Sequence, residues 1–212
     1  MNKLGSRRKK WKIQRALGLE LPGLGRPGAL EKRSYPPGQH GPNTRRKKPT
    51  GYALQLREKQ KLLFNYGIRE EQLRRFVRMA QGRSQSDWME TLISLLERRL
   101  DNLVFRLGFG RSIAGARQLV SHGHVLVDGR RQTIGSMVVK PGSRITLSEK
   151  ANQFEATKFS RSSPRLSLPS YLMLEVTENK DEGVLVSSPT SDHIPFEFNK
   201  SLVAEYYAKR GA

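Results

Sequence analysis

Between residues 51 and 127 the apolar positions fall at helical spacing, broken by glycines, before giving way to a short alternating run. In YALQLREKQKLLFNYG, Leu56, Leu63, Tyr52 and Phe64 predict a helix that carries Arg57, Lys59 and Lys61. Leu73, Phe76, Val77 and Ala80 keep helical register across 70–81, and a third helix is expected from an N-cap at Ser86 through Trp88, Leu92, Leu95 and Leu96. These three helices read as one small bundle. Leu100, Leu103, Val104 and Leu107 then recur at i, i+3, i+4, i+7, which puts Arg99, Asn102 and Arg106 on another face of the same helix. Gly108 and Gly110 stop that helix. Ser112 is placed to cap a second one running to His122, with Gly123 just past its end. Its inward positions are Ile113, Ala116 and Val120, and its outward ones Arg117, Gln118 and Ser121.

Residues 124–127 predict a strand, Asp128-Gly129 the turn of a hairpin, and Pro141-Gly142 a second turn. Farther on, strands are expected at 171–176 and 184–187, separated by the turn-like ENKDEG. A helix at 200–209 follows an Asn199 cap and has Leu202, Val203, Tyr206 and Tyr207 on one face. The first 50 residues lack apolar periodicity, and YPPGQHGP at 35–42 reads as a rigid turn-forming loop. The expected class is α+β: a basic extended arm with a small helical bundle, then a module of two helices and a small, mainly antiparallel sheet. Four segments are expected: an arm and loop at 1–50, a bundle at 51–97, the module at 98–161, and a tail at 162–212 packing back on the N-terminal part.

Charge sharpens this picture. The 212 residues carry 39 Lys and Arg against 19 Asp and Glu, a formal net charge of +20 that calls for a polyanionic partner. The excess is uneven: residues 1–50 hold 14 basic and 2 acidic side chains, 51–97 hold 8 and 6, 98–150 hold 10 and 3, and 151–212 hold 7 and 8. Two basic peaks separated by a near-neutral bundle suggest a protein that meets nucleic acid along one side. Within the module, Asp101 and Asp128 are the only acids between Arg98 and Lys140, too few to pair with Arg99, Arg106, Arg111, Arg117, Arg130 and Arg131. As a group these arginines are therefore expected to contact RNA, their planar forks suiting phosphate. Gln118, His122 and His124 are expected beside them, and Arg7, Arg8, Lys9, Lys10, Lys12, Arg57, Lys59 and Lys61 are the matching candidates in the N-terminal part. Trp11, set among basic residues, is a candidate for stacking on a base or sugar.

Other chemistries find little support. There is no cysteine, which removes disulfides, thiol catalysis and Cys-ligated zinc. Two histidines at i, i+2 without nearby acids make a poor metal site, so His122 and His124 read as turn-associated or RNA-facing, and no metal or cofactor is expected. No phosphate-cradling Walker loop or nucleophile elbow occurs, and GFG at 108–110 is a helix stop. No apolar run approaches the roughly 20 residues that span a bilayer. The basic start is read as a nucleic-acid-binding arm rather than an organellar presequence. A small-molecule substrate, a membrane and an enzymatic role are not expected.

Four separated motifs in order, YPPGQHG at 35–41, LREKQKLLFNYG at 56–67, ERRLDNLVFRLGFG at 97–110 and ARQLVSHGHVLVDGR at 116–130, resemble the small-subunit ribosomal protein S4 family, and LEVTENKDEGVLV and SLVAEYYAK continue the likeness. The module alone would be weak evidence, since similar ones are appended to some pseudouridine synthases, aminoacyl-tRNA synthetases and heat-shock proteins. The resemblance implies a structural constituent of the small subunit that binds its rRNA directly at a multi-helix junction of the 5′ domain, nucleates assembly of the body, and contributes to translational accuracy. It also implies the fifth small-subunit protein as a neighbour, and mRNA as a partner where it enters the subunit. Arg45, Arg46, Lys47 and Lys48 occupy the position where the family presents positive charge to that mRNA. RSYPPGQHG with LPGLG upstream looks like the cyanobacterial and plastid branch, so the ribosome is expected in bacterial cytoplasm or plastid stroma. The chain departs from the family at its MNKLGSRRKKWKI opening, and at Thr50-Gly51, where an acid commonly precedes the tyrosine. An RNA-modifying enzyme docking through the module and a regulator of its own message remain alternatives at this point.

Overall fold

The computed structural model describes residues 10–24, 27–43, 48–83, 87–177 and 180–210, and the N-cap expected at Ser86 lies outside them. Two compact units are present, one of residues 1–89 with 194–212 and one of residues 90–193.

The first unit is helical. Its elements are α1 (Lys10–Leu17), α2 (Ala29–Lys32), α3 (Gly51–Asn65), α4 (Glu70–Arg83) and α10 (Lys200–Arg210). Thr50 caps α3 by accepting from the Ala53 amide. Leu73, Phe76, Val77 and Ala80 are buried along α4, as their register requires. Asn199 caps α10 through the Leu202 amide, and Tyr206 and Tyr207 of that helix are core residues. Burial raises the Tyr207 hydroxyl above its ordinary pKa, and the nearby Glu70 carboxylate adds to the effect.

Residues 10–24 and 27–43 are more ordered than a segment without apolar periodicity suggests. The side chain of Gln14 accepts from the Leu21 amide at 2.9 Å, and Asn65 of α3 accepts from the Gly23 amide at 3.0 Å. Buried polar side chains thus satisfy loop amides that water would otherwise serve. Arg15 donates to the Tyr35 and Pro36 carbonyls and lies 4.8 Å from the centre of the Tyr35 ring, holding the YPPGQHG loop by its start. Gly41 allows the loop to close, because a Cβ there would overlap the Pro36 carbonyl.

The second unit holds most of α5 (Trp88–Glu97), α6 (Leu100–Arg106), α7 (Ile113–Ser121), α8 (Glu149–Asn152), α9 (Glu155–Ser162) and five strands. These are β1 (Val125–Val127), β2 (Arg130–Gln132), β3 (Arg144–Leu147), β4 (Leu172–Thr177) and β5 (Lys180–Leu185), joined in one antiparallel sheet of order β2-β1-β3-β5-β4. Most of α5 packs with the second unit. That helix is too apolar to present one stripe to a bundle, since Leu92, Ile93, Leu95 and Leu96 are all buried. Residues 135–139 pair with the start of α6, whose Leu100 and Asp101 amides donate to the Met137 and Gly135 carbonyls. Ser112 caps α7 through the Gly115 amide, Gly123 follows that helix at φ 71°, and Asp128 and Gly129 both turn with positive φ between β1 and β2.

The tail is shared between the units. Its helix α10 joins the first unit, whereas β4 and β5 extend the sheet of the second. Lys180 to Gly183, expected as part of a turn, are strand residues of β5. Two features allow this. Gly183 lets β5 pass close over Leu107, whose side chain a Cβ would overlap, and ion pairs from Arg161 to Asp181 and from Arg144 to Glu182 hold the charged positions.

Candidate nucleic-acid interface

The arginines expected at an RNA contact in the second unit fall into two groups that the sequence does not separate. Arg99 is 2% exposed and grips Asp101 with a two-pronged contact, Nε to Oδ1 at 3.1 Å and Nη2 to Oδ2 at 2.7 Å. The same carboxylate accepts from Arg117 at 2.9 and 2.6 Å. Arg106 is 5% exposed, donates to Glu97 and to the His193 carbonyl, and is enclosed by α6 and the tail. Glu97 also accepts from Asn102 at 2.9 Å and from the Tyr171 hydroxyl at 2.7 Å. Burial, followed by the Glu97 charge, drives the Tyr171 pKa upward, so Tyr171 stays a donor. Arg99 and Arg106 are therefore interior members of ion-paired networks, not surface cations, and Arg117 is half committed to the first network.

The other group faces outward. Arg111, Gln118, His122, Arg130 and Arg131 are exposed, and His124 is partly so. Arg131 lies over the end of α7, donating to the His122 carbonyl at 3.0 Å, where the absence of a side chain at Gly123 makes room for its guanidinium. Lys150, exposed on α8, completes this cluster, and its signal in the sequence was only a basic residue after the Ser148 cap. Among the described residues, none of Arg111, Arg130, Arg131 and Lys150 pairs with a carboxylate.

His124 sits edge-on to Phe154 with centroids 5.1 Å apart, and its Nδ1 lies 3.4 Å from the Ser148 hydroxyl. Partial burial lowers its pKa, as do the positive charges of His122, Lys150 and Arg131. A polyanion laid on this cluster would cancel those charges and raise the pKa again, so binding takes up protons. Affinity is accordingly expected to rise as pH falls from about 7.5 to 6. Binding titrations at constant ionic strength check this, with His124→Gln expected to flatten the dependence.

In the first unit, Lys10, Lys12, Arg57 and Lys48 are exposed. Arg7, Arg8, Lys9, Arg45, Arg46 and Lys47 lie outside the described residues. Lys59 is 7% exposed, paired with Glu70 at 2.8 Å and donating to the Tyr206 hydroxyl, so it stabilises the packing of α3, α4 and α10 and is withdrawn from the surface. Lys61 is tied to Glu58 at 2.7 Å and to the Glu197 carbonyl. Trp11 is partly buried, with the Lys32 ammonium 5.2 Å from its ring centre. The near-neutral sum of residues 51–97 conceals the exposed Arg75 and Arg78 of α4. Their spacing of three, set against the buried Leu73 and Phe76, was the available signal.

No group of three or more His, Asp or Glu among the described residues could hold a metal ion, and no helix of the described residues is long and apolar enough to cross a membrane. The arrangement suits phosphate: guanidinium forks and an ammonium around a helix end, held by a packed core.

Comparison with known proteins agrees with this chemistry. The family model described as ribosomal protein S4/S9 N-terminal domain matches residues 6–97, and that of the S4 domain matches residues 98–145. The chain is 50% identical over 211 residues to small ribosomal subunit protein uS4B of Bdellovibrio bacteriovorus, covering 100% of both chains. It is 46% identical over 199 residues to small ribosomal subunit protein uS4 of Geobacillus sp., covering 94% of this chain and 96% of that one. It is also 42% identical to uS4 of Methylobacillus flagellatus, with 94% and 95% covered. Together with the S4-type RNA-binding module and its exposed cations, these full-length likenesses show that the chain belongs to the family of small ribosomal subunit protein uS4, the rRNA-binding proteins of the translating ribosome.

Proposed function

We propose that the chain captures a multi-helix junction in the 5′ domain of small-subunit rRNA and nucleates assembly of the body around it. The observation that carries this reading is the cluster of Arg131, Lys150 and His122 around the end of α7, with Arg130 exposed next to it on β2; Arg130, Arg131 and Lys150 have no carboxylate partners among the described residues. An outward-facing set of this kind finds its counter-charge in RNA phosphates, and neutralising them releases counterions. A deep, narrow major groove keeps side chains from reading paired bases, so recognition is by the shape of the converging helices and their backbones. Arg75 and Arg78 of α4, with Lys10, Lys12 and Arg57, supply further phosphate contacts in the first unit.

The role is binding and scaffolding, not catalysis. Its protein neighbours are other small-subunit proteins, notably the fifth, through which the chain contributes to accuracy. The 45–48 run of Arg45, Arg46, Lys47 and Lys48 meets mRNA as it enters. Bacterial relatives of full length favour bacterial cytoplasm over plastid stroma as the setting. Footprinting of the rRNA after the chain is sedimented with small-subunit particles tests the proposal. Protection is expected to concentrate where several helices of the 5′ domain converge, and protection scattered over other domains would reject it.

A further inference from the structure

The segment after β3 lies beyond the stretch matched as S4 domain, yet it lays two aromatic rings against the exposed group described above. Phe154 meets His124, and Phe159 of α9 lies under the guanidinium of Arg111, 4.1 Å from ring centre to Cζ. Phe159 nevertheless stays 49% exposed, and Lys158 beside it is exposed as well. Two other cation and ring contacts among the described residues belong to the interior. Arg161 over Phe109 is also paired with Asp181, and Phe109 is 1% exposed; Lys59 over Tyr206 is buried with its partner. Arg111 has no such second partner, for no carboxylate pairs with it among the described residues.

A planar guanidinium on a half-exposed ring is a flat, positively charged surface with a strong preference for another π system. We infer that Phe159 and Arg111 form a stacking platform for an unpaired base of the bound RNA, with Lys158 placed for the adjoining phosphate. The inference rests on the rRNA-binding reading and adds to it a contact with a base, where the cluster at the end of α7 addresses only the backbone. Stacking on an aromatic ring tolerates any base, so the site selects for an unstacked nucleotide and not for a sequence.

The test uses the full chain and 5′-domain rRNA, in filter-binding titrations of wild type, Phe159→Leu and Phe159→Trp, with ultraviolet crosslinking of the wild type. Leucine keeps apolar bulk at a half-exposed position and removes the π face, while tryptophan enlarges it. Phe159→Leu is expected to weaken binding about tenfold without changing its salt dependence. Phe159→Trp is expected to bind as well as wild type, and a nucleotide adduct is expected on the peptide containing Phe159. Phe159→Leu binding indistinguishable from wild type would overturn the platform alone, as would a crosslink map without that adduct, which decides the matter even if the variant does not fold. Wild-type chain that failed to bind the rRNA would overturn the binding reading itself.

Discussion

Asp101→Ala is expected to destabilise the second unit by about 3–5 kcal/mol, more than any change at an exposed acid of this chain. The carboxylate is wholly buried and accepts from both Arg99, itself 2% exposed, and Arg117. Removing it takes a carboxylate from buried Arg99 and from half-buried Arg117 at once. Breaking one side of a buried pair costs far more than the pair contributes as a whole, because the residual charge has no solvent to stabilise it. Loss of the carboxyl also vacates space beside Gly135, which lies close to Asp101. Glu149→Ala, an exposed position, serves as the control and is expected to change stability by less than about 0.5 kcal/mol. Urea unfolding followed by circular dichroism measures both. A loss under about 1 kcal/mol for Asp101→Ala would mean that the two arginines find water in the folded state, contrary to their placement here.

The second large effect falls on binding. Replacing Arg130 and Arg131 together by alanine is expected to lower affinity for 5′-domain rRNA by roughly 10- to 100-fold near 0.1 M salt, since each lost phosphate contact removes one counterion-release term. Both side chains are exposed at the β1 to β2 hairpin, so the fold loses only the bond from Arg131 to the His122 carbonyl. Arg106→Ala is expected to behave in the opposite way. It strips one hydrogen-bonding partner from buried Glu97 and lowers stability, with little change in the affinity of the molecules that remain folded. The two variants thus separate outward-facing cations from cations that hold the fold.

That separation was the part of the site the sequence could not supply. Local signals were reliable where structure is local: the Ser112 cap, Gly123, the Asp128-Gly129 turn and the register of Leu73, Phe76, Val77 and Ala80 all lie where spacing placed them. Pairing of buried charges is tertiary and was not visible. A count of acids between residues 98 and 140 assumed one arginine per carboxylate, yet Asp101 serves two, and Glu97 lies one residue outside that window while serving Arg106 from the end of the preceding helix. The same limit applies to the tail, where turn-like Lys-Asp-Glu-Gly becomes strand because Arg144, Arg161 and Leu107 meet it from elsewhere in the fold. In the arm, Gln14 and Asn65 impose order through hydrogen bonds that no periodicity announces.

The central claim is that affinity for rRNA comes from phosphate neutralisation by the outward-facing cations. A filter-binding titration of wild type and the Arg130→Ala, Arg131→Ala variant against 5′-domain rRNA, from about 0.05 to 0.2 M salt, tests it most directly. The slope of log K against log salt is expected to be about −4 or steeper for wild type and shallower by roughly 2 for the variant. A flat wild-type dependence, or a slope that the double substitution leaves unchanged, would contradict the claim.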